Sequence, residues 1–146
     1  MLRKAGQNFT PFNKVRPTRG FTREKLTINK EDVVLWDLSG DKNYRGIWSN
    51  YIKKADLVLF LIDGSNTNEE YVEEVRKILE RFKDILGSNT IILFNKNDKK
   101  EFSIVRFLDG IRESQLLNSL STIAEINVLE DDLLDRLFAV VSTLKR

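Results

Sequence analysis

The sequence predicts an α/β fold, a mainly parallel sheet covered by helices on both faces, and two features carry that prediction. Residues 57–62 and 90–94 (LVLFLI and TIILF) are short, continuously apolar and rich in β-favouring side chains, the pattern of strands buried on both faces. Between them, Tyr71, Val72, Val75, Ile78, Leu79, Phe82, Ile85 and Leu86 recur at helical spacing. A strand, a helix and a second strand at this separation form a crossover between parallel neighbours.

Taken in chain order, residues 1–20 hold both prolines and many charges, so they read as loop with a short helical stub over 1–5. Two extended segments follow, 24–28 and 33–38. They flank Asn29-Lys30-Glu31-Asp32, a turn composition that predicts a β-hairpin. The central helix is expected to start at the capping pattern Thr67-x-x-Glu70 and to end at Gly87. Leu133, Leu134, Leu137, Phe138, Val141 and Leu144 follow the acidic run Glu130-Asp131-Asp132, which suits the positive end of a C-terminal helix.

Composition narrows the chemistry. The 146 residues are 41% hydrophobic and 32% charged, the balance of one compact domain over residues 1–146. With no cysteine and no histidine, thiol catalysis, zinc-ribbon sites and a Ser-His-Asp triad are excluded. No apolar run approaches the roughly 18–20 residues that cross a bilayer, and the first residues lack the apolar stretch of a secretory signal, so the expected compartment is the cytoplasm. The net charge of +2 is uneven: residues 1–30 carry eight lysines and arginines against Glu24 alone. Such an arm attracts anions. It lacks the interleaved aromatics of a nucleic-acid surface apart from Phe9, Phe12 and Phe21, so no nucleic-acid partner is expected.

Ligands of parallel α/β sheets bind beyond the carboxyl ends of the strands. Polar motifs fall at three such ends: Asp37-Leu38-Ser39-Gly40, Asp63-Gly64-Ser65-Asn66 and Asn95-Lys96-Asn97-Asp98. The last offers a carboxylate for two N–H groups, an amide and an aliphatic stem, a set suited to the edge and face of guanine. The first puts an acid and a backbone N–H where a magnesium-bound γ-phosphate can be held. Either tetrapeptide alone also reads as a polar turn.

Order and spacing carry further. Pro17-Thr18-Arg19-Gly20-Phe21, Trp36-Asp37-Leu38-Ser39-Gly40, Arg45-Gly46-Ile47-Trp48-Ser49-Asn50-Tyr51 and Asn95-Lys96-Asn97-Asp98 together resemble the Arf/Arl branch of the small GTPases. That resemblance implies a Ras-like domain, a guanine-nucleotide switch using GTP or GDP and Mg2+. It implies that Thr18 ligates magnesium and Asp37 orients a magnesium-bound water. Gly40 would offer its amide to the γ-phosphate, and Asn95, Lys96 and Asp98 would hold guanine. Phe21, Trp36 and Tyr51 match an aromatic triad that effector and regulatory proteins read; plain core packing is the other reading of such large rings.

The chain also departs from the family pattern. The first strand, the Gly-x-x-x-x-Gly-Lys-Ser/Thr loop and most of the first helix are not found in these 146 residues, so the resemblance implies an N-terminally incomplete domain that alone binds GTP weakly or not at all. Asp41 stands where the family has the glutamine that positions water; a short anionic side chain there repels the γ-phosphate and predicts slow hydrolysis. Ser39 replaces a glycine beside it, and the nearest counterpart of the guanine-supporting C-terminal segment is Asn127-Val128-Leu129. Leu2 follows Met1 where myristoylation needs glycine, which leaves peripheral membrane recruitment open. Two readings therefore stand: a GTPase switch in its complete form, or a non-catalytic pseudo-GTPase that acts as a protein-interaction module.

Overall fold

The computed structural model describes residues 16–28, 30–113 and 122–125. They belong to two compact units, Met1–Lys54 and Ala55–Arg146. The expected helices over 1–5 and from Leu133 to Leu144, and the segment 127–129, lie outside the described residues.

The first unit is a β-hairpin followed by a helical stub. Strand β1 (Phe21–Ile28) pairs antiparallel with β2 (Glu31–Leu38), in a register that sets Ile28 opposite Glu31 and Phe21 opposite Leu38. Both strands are longer than the sequence pattern predicts, so the connection shrinks to two residues. Lys30 meets the demand of so tight a turn with φ of 69°. After β2 a single 3-10 turn (Arg45–Ile47) leads into helix α1 (Trp48–Ile52). Among the described residues of this unit, Leu26, Trp48 and Ile52 are the buried apolar ones.

The second unit is a three-stranded parallel sheet in the order β3 (Val58–Asp63), β4 (Thr90–Asn95), β5 (Thr122–Glu125). Helix α2 (Glu69–Phe82) makes the crossover from β3 to β4, and α3 (Val105–Glu113) leads on toward β5. The parallel pairing expected from the two apolar runs is observed, with Leu61 opposite Leu93 and Asp63 opposite Asn95. Full burial is observed for one strand only. Ile91, Ile92, Leu93 and Phe94 are 0–1% exposed, whereas Leu61 is 52% exposed. The reason is position, since β4 is flanked on both sides while β3 pairs only with β4 among the described residues.

Helix α2 buries Val72, Val75, Leu79 and Phe82 against this sheet's core, the stripe its periodicity predicts. Its ends differ from expectation. The N-cap is Asn68, whose side chain accepts from Glu70 N–H at 2.8 Å, and not Thr67. Both residue types cap helices; the residue that stands at the boundary with an extended backbone is Asn68, with ψ of 131°. The helix closes at Phe82, whose carbonyl accepts from both Ile85 and Leu86 N–H in a tightened last turn, so Gly87 lies beyond it. Phe107 anchors α3: it is fully buried, 5.3 Å from the Phe94 ring and edge-on to Tyr71 at 6.1 Å. Arg76 on α2 adds a bond to the Arg106 carbonyl at 3.0 Å.

Candidate functional site

The predicted site residues divide between the two units, and each group is described within its own.

In the first unit, Thr18 precedes β1 and Asp37 closes β2, and their side chains meet. Thr18 Oγ1 donates to Asp37 Oδ2 at 2.7 Å. A hydroxyl and one carboxylate form an all-oxygen pair, the donor type magnesium prefers. Two oxygens on adjacent corners of its octahedron lie about 2.9 Å apart for bonds of about 2.0–2.1 Å. The observed pair is close to that separation, so it fits two corners of such a site, the rest being left to phosphate and water. No group of three or more acidic residues able to cage a metal by themselves occurs among the described residues.

The segment after Asp37 is tied down by its own side chains. Ser39 is buried; its N–H donates to the Gly20 carbonyl at 2.9 Å, and its hydroxyl accepts from Asp41 N–H at 3.3 Å. Trp48 Nε1 donates to the Ser39 carbonyl at 3.0 Å, and Arg45 Nε to the Gly40 carbonyl at 3.0 Å. A Cβ on Gly40 would meet nothing within 4 Å, so packing does not dictate glycine there. Asp41 caps the following turn: its carboxylate accepts from Asn43 N–H at 2.9 Å and its carbonyl from Tyr44 N–H at 2.9 Å. These local bonds give Asp41 a structural role that the family comparison with glutamine does not reveal.

Phe21, Trp36 and Tyr51 come together as one cluster, with ring centroids 5.1–5.7 Å apart and tilted by 45–50°. Core packing does not describe Phe21 and Trp36, while Tyr51 is half-buried. Phe21 is 47% and Trp36 41% exposed, and the Arg23 guanidinium lies 5.4 Å over the Trp36 ring. Val34 beside them is also exposed. The unit thus presents aromatic surface capped by a cation, a composition enriched where proteins meet proteins.

In the second unit, the ends of β3 and β4 lie side by side, with Asp63 opposite Asn95. Gly64 N–H donates to the Asn95 carbonyl at 3.0 Å, and Ser103 N–H to the Gly64 carbonyl at 3.0 Å, so the loops leaving the two strands are laced together. Gly64 is required by contact, because a Cβ there would sit 2.3 Å from the Phe102 ring. The predicted residues Asn95, Lys96 and Asp98 share one turn, closed by Lys99 N–H donating to the Lys96 carbonyl at 3.1 Å. Lys96 adopts φ of 67°, a left-handed conformation that side chains rarely take, and its ammonium lies 2.6 Å from Asp63 Oδ2. Asp98 Oδ2 is 3.3 Å from Lys99 Nζ and keeps part of its surface open.

Sequence reasoning placed Asp63 and Ser65 at a strand end but gave neither a role of its own. Partial burial pushes the Asp63 carboxyl up, but Lys96 together with the Ser65 hydroxyl and amide outweighs it and holds the group below its ordinary value. Burial pushes the Tyr71 phenol up, and its oxygen accepts from Asp63 N–H at 3.1 Å. The only signal in the sequence is the Asp-x-Ser spacing after a strand, which predicts a turn and no more.

Comparison with known proteins adds relatives. The profile of the ADP-ribosylation factor family matches residues 5–141. The chain is 28% identical to an ADP-ribosylation factor-like protein 2 of Dictyostelium discoideum over 115 residues, 77% of this chain and 57% of that protein. It is 31% identical to an ADP-ribosylation factor-like protein 5 of Caenorhabditis elegans over 85 residues, 57% of this chain and 47% of that protein. The chain therefore spans about half the length of the curated relatives it matches. In three dimensions it is similar to the Arl6 BBS3 small GTPase from Trypanosoma brucei, solved with the nucleotide analogue GppNp. The TM-score is 0.75 at 18% identity, over 93% of this chain and 86% of that one, a likeness of fold.

Proposed function

This chain belongs to the ADP-ribosylation factor family, and from that premise we propose that it serves as a guanine-nucleotide-binding switch of the Arf type within one such domain. Asn95 and Asp98 hold the guanine edge and the Lys96 stem its face. Thr18 contributes an oxygen to a magnesium ion and Asp37 orients a magnesium-bound water, Gly40 offers an amide to the terminal phosphate, and Phe21, Trp36 and the half-buried Tyr51 form the surface that effector and regulatory proteins read. Magnesium, when bound, neutralises phosphate charge. The observation that carries the reading is the Asn95–Asp98 turn, which opens at the carboxyl end of two parallel strands, where α/β sheets take their ligands.

The residues of this chain set limits on turnover. Asp41 brings a second negative charge toward any γ-phosphate, and its carboxylate is engaged with Asn43 N–H. It neither donates to nor orients an attacking water. Hydrolysis is accordingly slow in the complete protein. A cytoplasmic location with peripheral recruitment to membranes is part of the same reading; no helix among the described residues is long and apolar enough to cross a membrane.

The alternative is a non-catalytic pseudo-GTPase that works as an interaction module. One observation favours it: Phe21, Trp36 and Tyr51 form one ring cluster in which Phe21 and Trp36 are 47% and 41% exposed, a surface suited to a protein partner. Titration of the purified chain with guanosine and with adenosine, ligands that do not call on a phosphate loop, separates the two. Binding of guanosine and not of adenosine, lost in Asp98→Asn, supports the switch. No response to guanosine at any accessible concentration leaves the interaction module as the better reading.

A further inference from the structure

The Asp63 carboxylate is organised beyond what a surface ion pair requires. Its Oδ1 accepts from Ser65 N–H at 3.1 Å and from Ser65 Oγ at 2.7 Å, while Oδ2 accepts from Lys96 Nζ at 2.6 Å. The backbone is fixed as well, through Asp63 N–H to the Tyr71 hydroxyl at 3.1 Å and Gly64 N–H to the Asn95 carbonyl at 3.0 Å. Five bonds thus hold one residue and its neighbour at the end of β3. The ion pair does little for stability, because the two side chains are 31% and 47% exposed and water screens them. Yet Lys96 sits in the left-handed region at φ of 67°, a conformation with a cost that a screened pair does not offset. Strain of this kind, held by a built anchor on an adjacent strand, is what positioning of a side chain looks like.

We infer that Asp63 is a positioning residue for guanine recognition. It anchors the Lys96 ammonium, so that the four-carbon stem is already ordered between that anchor and the Asn95–Asp98 turn when a base arrives. A free lysine stem would have to be ordered on binding, at the expense of affinity. Asp63 acts through Lys96 and touches no ligand itself. Ser65, which holds the other carboxylate oxygen, supports the same anchor one step further out.

This role rests on the guanine-nucleotide reading, and a mutant cycle separates the two. Guanosine and GDP are titrated by calorimetry into the purified chain as wild type, Asp63→Asn, Lys96→Met and the double variant. Asp63→Asn is expected to weaken both ligands by about tenfold, the worth of one charge-assisted contact. In the Lys96→Met background the same substitution is expected to cost nothing further, because the anchor has nothing to hold. Asp63→Glu, which restores the charge, should recover part of the loss. Should Asp63→Asn fail to fold, Ser65→Ala loosens the same carboxylate and is expected to lose affinity only when Lys96 is present. Wild-type affinity in Asp63→Asn, or an equal loss in both backgrounds, overturns the positioning role alone. A wild-type chain that binds neither guanosine nor GDP overturns the switch reading and this role with it.

Discussion

Phe107→Ala should unseat the helix that follows the Asn95–Asp98 turn. The Phe107 side chain is fully buried and contacts two rings, Phe94 at 5.3 Å and Tyr71 at 6.1 Å. Truncating a buried Phe to Ala costs about 3–5 kcal/mol in lost transfer energy and cavity. Two aromatic pairs, each worth about 0.5–1.5 kcal/mol, place this site in the upper part of that range, at about 4 kcal/mol. Against a total stability of about 5–15 kcal/mol, that is a large share. For a chain of this size it corresponds to a fall in Tm of roughly 8–16 °C. Val105→Ala is the internal control. Val105 begins the same helix but is 66% exposed, so its truncation should change stability by no more than about 0.5 kcal/mol. Urea denaturation followed by circular dichroism reads both variants, and hydrogen exchange over residues 95–104 reports whether the turn loosens along with α3. A loss below about 1 kcal/mol for Phe107→Ala, or equal losses at the two positions, would show that α3 is not held through this ring.

Three further outcomes are expected. Gly64→Ala drives a methyl group to 2.3 Å from the Phe102 ring and 3.3 Å from the Asn95 carbonyl. It should lower stability by about 1–3 kcal/mol and alter the amide resonances of the 95–103 loop; an unchanged melt and spectrum would contradict the contact. Asn68→Ala removes the acceptor of Glu70 N–H and should cost about 1 kcal/mol in urea denaturation, whereas Thr67→Ala should cost less because Thr67 does not cap the helix. The pH response of Asp63 has a defined sign. Its folded carboxyl titrates below the ordinary value of 3.8, so its contribution to stability is complete above that value and is lost as pH falls through the folded pKa. Asp63→Asn should therefore flatten the acid side of the stability profile below pH 4 or so and leave the neutral region with little slope; an unaltered acid limb would contradict the assignment.

Much of the fold is legible in the sequence where burial is strong and local. Ile91 to Phe94 read as a strand buried on both faces because every position is apolar, and Val72, Val75, Leu79 and Phe82 read as a helix because their spacing is preserved to the end. Helix α3 is harder to read: Gly110 interrupts its nine residues and its first turn holds no acidic residue. Strand β5 has four residues, too few for a periodic signal. The choice between Thr67 and Asn68 turns on which residue stands at the helix boundary, and both are acceptable caps by composition.

The site divides in the same way. Thr18, Asp37, Asn95, Lys96 and Asp98 are legible as motifs because each stands at a fixed distance from its neighbours in sequence. Aromatic exposure is not, since Phe21 and Trp36 are large rings that ordinarily lie inside, and only the tertiary arrangement leaves them 47% and 41% exposed. The Lys96–Asp63 contact joins residues 33 apart, and it follows from the parallel register of β3 and β4, which no local pattern encodes.

The most direct test of the account is a titration of the isotopically labelled chain with guanosine and, separately, adenosine, followed residue by residue in amide NMR spectra. Guanosine is predicted to move the resonances of Asn95, Lys96, Asp98 and Lys99, with smaller changes at Asp63 and Ser65, while adenosine leaves them in place. Equal responses to the two nucleosides, or changes confined to other parts of the chain, would contradict the assignment of this turn as a guanine site.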